Sequence, residues 1–211
     1  MVNTSTPNQE KGVEILQIEL QKLVPHEALD IRKLRILEKE LNLSQEMYCN
    51  PLVYKYRNNK YIILDGHHRI ACLKNLGVDK ISCEVVPKEQ INYSQWSHTI
   101  YDKTFMTYLL NLPDIYISKI YKKDYIFQLV NKGSMYFVYS IYKQNLKSRQ
   151  QIANQLINYY LLSGNYKKIP CQKNIPESDE LVVIFEKIEL NKILNGSISF
   201  CPSGSTRFQI K

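Results

Sequence analysis

An apolar run that ends in glycine and hands over at once to a helix constrains this chain more than any other feature. The run reads Ile62-Ile63-Leu64-Asp65-Gly66-His67-His68-Arg69. Its apolar part predicts a buried strand. The helix behind it has Ile70, Leu73 and Leu76 on its inward face and Gly77 as its C-terminal stop. The first N–H groups of a helix lack intrahelical partners, and the helix dipole adds positive potential there. Such a terminus suits phosphate, and Gly66 lets a ligand approach the backbone closely. His67, His68 and Arg69 place donors and positive charge in that first turn, against the dipole, an arrangement that a bound anion compensates. Asp65 has the chemistry to hold Mg²⁺ or orient a hydroxyl; plain helix capping is the other use of Asp at such a place.

The flanking sequence builds a small α/β unit around that turn. Val13, Ile15, Ile18 and Leu20 alternate with polar residues as in a strand, and Leu23-Val24-Pro25-His26-Glu27 leaves it as a loop. Asp30 is placed to cap a helix whose inner face is Leu34, Leu37 and Leu41. Residues 52–56 and 61–64 are β-rich, with a hairpin connection over 57–60, and 81–86 reads as a further strand. Beyond Gln90 the spacing predicts helices over 102–112, 115–130, 146–162 and 190–194, the last stopped by Gly196. Strands are expected over 134–141 and 181–185. The expected fold class is α/β (α+β), with a loose arm over 1–12, one domain over 13–90 and a second over 91–211.

Composition narrows the partners without choosing one. The formal net charge of +8, from 28 basic and 20 acidic residues, fits a phosphate-bearing partner. The basic residues are spread along the chain, however, so a well-solvated surface explains them equally. Cys49, Cys72, Cys83, Cys171 and Cys201 form no C-x-x-C pair, and their odd number favours reduced, mostly buried thiols over a disulfide framework or a zinc site. With a polar start and no long apolar stretch, the expectation is a soluble, cytoplasmic protein without a membrane partner.

The segment from Ile63 to Gly77, with Asp65-Gly66-His67-His68-Arg69-Ile70-Ala71 at its heart, resembles the signature of the ParB/sulfiredoxin superfamily. The resemblance extends over most of residues 13–90. In its Asp-Gly-His-His-Arg form it is similar to the free L-serine kinases of that superfamily. Pro25-His26-Glu27 matches the place of their essential glutamate. Pro202-Ser203-Gly204-Ser205-Thr206-Arg207-Phe208 resembles their closing Pro-x-x-(Thr/Ser)-Thr-Arg-(His/Phe) segment. Residues 100–180 match nothing residue by residue.

The resemblance implies a ParB/sulfiredoxin-like nucleotide-binding unit and a second α/β domain that completes a cleft. It implies phosphoryl transfer from ATP or ADP to L-serine, with Mg²⁺, giving O-phospho-L-serine. Glu27 would be the base or position the serine hydroxyl. Asp65 would contact Mg²⁺ or that hydroxyl, and Gly66, His67, His68 and Arg69 would hold the phosphates, His68 also steadying the transferred group. Ser203, Ser205, Thr206 and Arg207 would bind phosphate or the serine carboxylate, chemistry that hydroxyls and a guanidinium suit. Trp96 either lines the serine pocket or packs at the domain junction, and His98 is expected to be structural. Sulfiredoxin chemistry is not expected, because His67 stands where that enzyme needs cysteine. A DNA-binding or regulatory ParB-like module is the alternative, and a ParB-like nuclease a weaker one. The number of subunits has no signal in the sequence.

Overall fold

The computed structural model describes residues 12–44, 49–142, 146–171, 180–197 and 201–211. Apart from Gly12, the expected polar arm lies outside them. The first part of the chain forms β1 (Glu14–Glu19), β2 (Leu23–Val24), α1 (Ile31–Ser44), β3 (Leu52–Lys55), β4 (Tyr61–Asp65), α2 (His67–Asn75) and β5 (Lys80–Val85). Its five strands run in the order β1-β5-β3-β4-β2. The β1/β5 and β3/β4 pairs are antiparallel, and β3/β5 and β2/β4 are parallel. The stretch read as a pure loop after β1 therefore contains a two-residue strand, which pairs with Tyr61 and Ile62.

The β3–β4 hairpin turns where expected. Asn58 and Asn59 both adopt φ 56°, a left-handed conformation that asparagine tolerates, and Tyr56 N–H donates to Lys60 O at 2.7 Å. Strand β4 explains the uninterrupted apolar run. Ile63 packs with Val53, Ile70 and Cys83 on one face, while Ile62 and Leu64 pack with Ile91, Ile193, Leu194 and Cys201 on the other. A strand covered on both faces is apolar throughout. Its exposed end, Asp65, delivers the chain to α2.

Helix α2 buries Ile70 and Cys72 but stops one residue short of Leu76, which leaves the helix at φ −81°, ψ 1° and stands exposed. Leu76 is thus not part of the inward face; Val78 packs against that core instead. Gly77 turns the chain at φ +75°, as its predicted role as a stop requires.

The rest of the chain forms β6 (Ile91–Ile100), α3 (Phe105–Leu110), β7 (Ile115–Ser118), β8 (Phe127–Asn131), β9 (Ser134–Ser140), α4 (Leu146–Ser163), β10 (Tyr166–Pro170), β11 (Leu181–Phe185), α5 (Leu190–Leu194) and β12 (Thr206–Ile210). Six of these strands run β10-β6-β11-β8-β9-β7, and β12 pairs with the first half of β6. The helix expected over 115–130 is instead two strands, β7 and β8. Its residues are aromatic and β-branched, and they find cross-strand partners on β9: Tyr116 stacks on Tyr139 at 4.9 Å, and Asp124 breaks the segment at φ 71°. Helices α3 and α4 cover this sheet through Phe105, Leu109, Leu156, Ile157 and Tyr160. No helix among the described residues is long and apolar enough to cross a membrane.

Candidate active site

Three segments converge on one cavity of about 420 Å³. They are the loop after β2, the start of α2, and the first residues of β12. The first wall is the local one. Gly66 caps α2 at φ +95°, with no side chain among the described residues capping the helix. A Cβ at Gly66 would lie 2.9 Å from Pro51 Cβ, so the position is closed to other residues by space as well as by conformation. Gly66, His67, His68 and Arg69 all line the cavity. Asp65 does not cap the helix. It lines the cavity mouth and pairs with Arg69 at 3.1 Å, while the same guanidinium donates to Cys49 O at 2.5 Å. Arg69 is therefore already partly engaged by protein groups.

The two histidines have their tautomers assigned by backbone donors. Asp30 N–H donates to His68 Nε2 at 2.8 Å and His26 N–H to His67 Nε2 at 3.4 Å, which leaves the proton of each neutral ring on Nδ1. Burial pushes the His68 pKa down to about 4, and that of His67 well below the usual histidine value. Both rings are neutral donors near pH 7. These same bonds dock the 26–30 loop on α2. Asp30 caps α1 as expected, its Oδ1 accepting from Arg32 N–H at 3.0 Å and Lys33 N–H at 3.2 Å.

The second wall is assembled from distant segments. Glu27 is buried and forms a parallel bridge with Cys201, with Ala28 N–H donating to Cys201 O at 2.9 Å and Cys201 N–H to His26 O at 2.6 Å. Its carboxylate is gripped by the turn beyond that bridge. Oε1 accepts from Gly204 N–H; Oε2 accepts from Thr206 N–H at 3.2 Å and from the Thr206 hydroxyl. Burial raises the Glu27 pKa, while these donors and the nearby Lys168 charge oppose the rise. A buried carboxylate facing a cavity, with raised proton affinity, has the properties of a general base.

Behind this turn, Tyr160 O–H and His98 Nδ1 lie 2.7 Å apart, and His98 Nε2 lies 2.9 Å from Gly204 O. A carbonyl only accepts, so His98 donates through Nε2 and receives the tyrosine proton at Nδ1. His98 is fully buried and holds the Glu27-binding turn in place. Gly204 sits at φ +70°, and a Cβ there would lie 2.6 Å from Lys168 Nζ.

Of the sequence-predicted residues, Glu27, Asp65, Gly66, His67, His68, Arg69, Trp96, Thr206 and Arg207 line the cavity together. Arg207 lies over the Trp96 ring at 4.6 Å. Ser203 and Ser205 do not line it: both are buried, and the Ser205 hydroxyl donates to Pro202 O at 2.7 Å, closing the turn. Sequence reasoning passed over Lys33 and Lys168, which also line the cavity. Lys33 could have been found from its place in the first turn after the Asp30 cap. Lys168 carries no local signal, because only the pairing of β10 with β6 brings it to the site.

No family model matches the chain. Over 78 residues it is 41% identical to the ATP-dependent L-serine kinase of Desulfurococcus mucosus, a match that covers 36% of this chain and 30% of that protein. Over 169 residues it is 25% identical to the ATP-dependent L-serine kinase of Staphylothermus marinus, covering 74% of this chain and 66% of that one. The chain thus spans 30% and 66% of the length of these two curated relatives. The structure is similar to that of a free serine kinase in complex with AMP, with a TM-score of 0.72, 18% identity, and coverage of 97% of this chain and 92% of the other. At that identity the likeness establishes the fold: the two proteins share one mixed α/β architecture along nearly their whole lengths.

Proposed function

We propose that this chain is a phosphotransferase that moves a phosphoryl group from ATP or ADP to the hydroxyl of free L-serine, giving O-phospho-L-serine. The observation that carries the reading is a buried Glu27 facing the α2 N-terminus across a single cavity. Phosphoryl transfer needs a positioned nucleophile, an accepting base and donors for the phosphate charge, and these groups supply all three. ATP is the donor in the names of the relatives, and ADP is the other donor to be tested.

In this reading residues 13–90 are a ParB/sulfiredoxin-like nucleotide-binding unit, and residues 91–211 complete the substrate site. The α2 N–H groups with the His67 and His68 rings bind the phosphates, and Lys168 and Lys33 add charge. Glu27 takes the proton of the serine hydroxyl as that oxygen attacks the terminal phosphorus and the nucleotide leaves with the bridging electrons. Arg207, steadied on Trp96, receives the serine carboxylate or the transferred phosphate, with Ser203 and Ser205 acting through the shape of their turn.

Asp65 fits a magnesium site of the kind nucleotides bring with them. It is an exposed carboxylate at the cavity mouth, whereas both Glu27 oxygens are taken, and no three metal-ligating side chains cluster among the described residues. Mg²⁺ commonly binds one or two carboxylates plus phosphates, and it would neutralise phosphate charge during transfer. The kinase names of the relatives weigh against both a nuclease and a DNA-binding module.

The test is to incubate the purified protein with Mg²⁺, L-serine and either ATP or ADP, and to follow O-phospho-L-serine by mass spectrometry. D-serine and threonine serve as control acceptors. Product from one nucleotide supports the reading and names the donor; no product from either, with nucleotide or DNA still bound, would replace it with the regulatory module.

A further inference from the structure

The proton count at Thr206 is one short. His26 Nδ1 lies 2.6 Å from Ile63 O, an obligate acceptor, so Nδ1 carries a proton. In a neutral ring Nε2 then has only a lone pair, and it faces Thr206 Oγ1 at 3.1 Å. The Thr206 hydroxyl owns a single proton, yet the same oxygen also contacts Glu27 Oε2. If Glu27 is ionised and His26 neutral, that one proton cannot serve both neighbours. Both contacts are satisfied only when the group holds one proton more, on Glu27 Oε2 or on His26 Nε2.

We propose that His26 is a positioning residue for Glu27: through the Thr206 hydroxyl it shares the proton that Glu27 takes up. The proposal rests on the kinase reading for its role in turnover, but not for the shared proton itself. When the serine O–H bond breaks, the proton forms an O–H bond on Glu27. Glu27 Oε2–H then donates to Thr206 Oγ1, whose own O–H donates to His26 Nε2. Complete transfer breaks the Glu27 and original Thr206 O–H bonds, forms a new Thr206 O–H bond and a His26 N–H bond, and leaves Glu27 ionised. Charge is conserved in either position.

The surroundings suit a single mobile proton. His26 and Glu27 are both buried, and burial disfavours the cation on one and the anion on the other, which moves the His26 pKa to about 4 and the Glu27 pKa upward. Glu27 also faces Lys168 of β10, Tyr93 of β6 and Cys201. His26 faces His67 of α2 and the uncharged Phe208 ring of β12. None of these bonds Thr206 Oγ1, so a proton that passes between the two groups passes through that hydroxyl.

Two measurements test this. The first is ¹⁵N NMR of histidine-labelled, nucleotide-free protein. The chain has four histidines, so loss of one signal in His26→Asn assigns His26. The expected result is a His26 Nε2 resonance that moves as Glu27 titrates in the native protein and stays flat in Thr206→Val, with Thr206→Ser restoring the response. A flat Nε2 resonance in the native protein overturns the proposal whatever the variants do.

The second measurement is the pH profile of kcat. In His26→Asn the amide can still donate to Ile63 O, but the opposing lone pair is gone. Glu27 then holds its proton less tightly, the acid limb moves to lower pH, and the weaker base cuts the plateau by about tenfold. Thr206→Val removes a donor to the carboxylate and moves the limb upward. His26→Asn should then add nothing to the limb of Thr206→Val, the signature of coupling through one shared group. Independent shifts in the double variant would overturn the relay. If the native protein makes no phosphoserine while the NMR coupling is present, the kinase reading falls and the shared proton stands.

Discussion

One wall of the cavity comes from four consecutive residues, Gly66 to Arg69, whereas the facing wall is gathered from Glu27, Trp96, Lys168 and Arg207. The first wall is fixed by local chemistry: an apolar strand, a glycine at φ +95° and a helix start. The second exists only because β6, β10 and β12 pair, and because the 26–28 segment bridges to Cys201. Their electrostatics differ as well. The local wall offers neutral rings and uncapped N–H groups, while the assembled wall holds a buried carboxylate beside a partly buried lysine. In the proposed function, a generic anion cradle is thus joined to a specific acid–base group, which sets the site apart from a phosphate binder.

Removing that group should have the largest effect. Glu27→Gln is expected to lower kcat by about a hundredfold or more while nucleotide affinity changes only a few-fold. Isothermal titration beside steady-state kinetics checks this, and a near-normal kcat would demote the assembled wall to scaffolding. Arg207→Ala should come next, raising KM for serine by about tenfold through loss of a charge-assisted contact. Unchanged kinetics would put this residue outside the substrate path.

Lys168→Met should do less to the plateau and more to the profile. The lysine charge favours ionised Glu27, so its removal raises the Glu27 pKa further and shifts the acid limb of kcat to higher pH. A limb that stays in place would mean that Lys168 serves the phosphates alone.

The smallest effect tests the local wall through stability. His68 has a folded-state pKa near 4, below its unfolded value of about 6.5, so the unfolded chain binds the extra proton first. The His68 contribution is complete above pH 6.5 and is lost as pH falls through 4, by up to about 3 kcal/mol. Denaturant melts of the native protein and His68→Asn across that range should converge as the pH drops. Parallel curves would mean that His68 binds its proton equally in the folded and unfolded chains.

What the sequence disclosed follows the same division. The strand, the glycine turn and the helix were readable from Ile62 to Ile70 because each step depends on its neighbours. The 57–60 turn was readable because Asn58 and Asn59 accept positive φ. Strand β6 left no apolar signature, since its buried positions include Gln95, Ser97, His98 and Thr99, polar side chains that only a finished fold can accommodate. The 115–130 stretch has helical spacing, yet aromatic pairing with β9 outweighs it. Glu27 and Arg207 were placed by resemblance, and the separation of Lys168 from both in the chain hid it. Ser203 and Ser205 had the right chemistry for a ligand, but their burial gives them to the turn.

The bridge between Glu27 and Cys201 also sets a timetable. Glu27 leaves the ribosome well before the Gly204 N–H that grips it, which lies 177 residues further on. Closing so long a loop is entropically costly, and contacts of this separation form late in folding. Until the Gly204 segment is made, the nascent chain can therefore display the Gly66 turn without Glu27 held opposite it. The cavity is completed only when the segment from Cys201 to Thr206 emerges and docks.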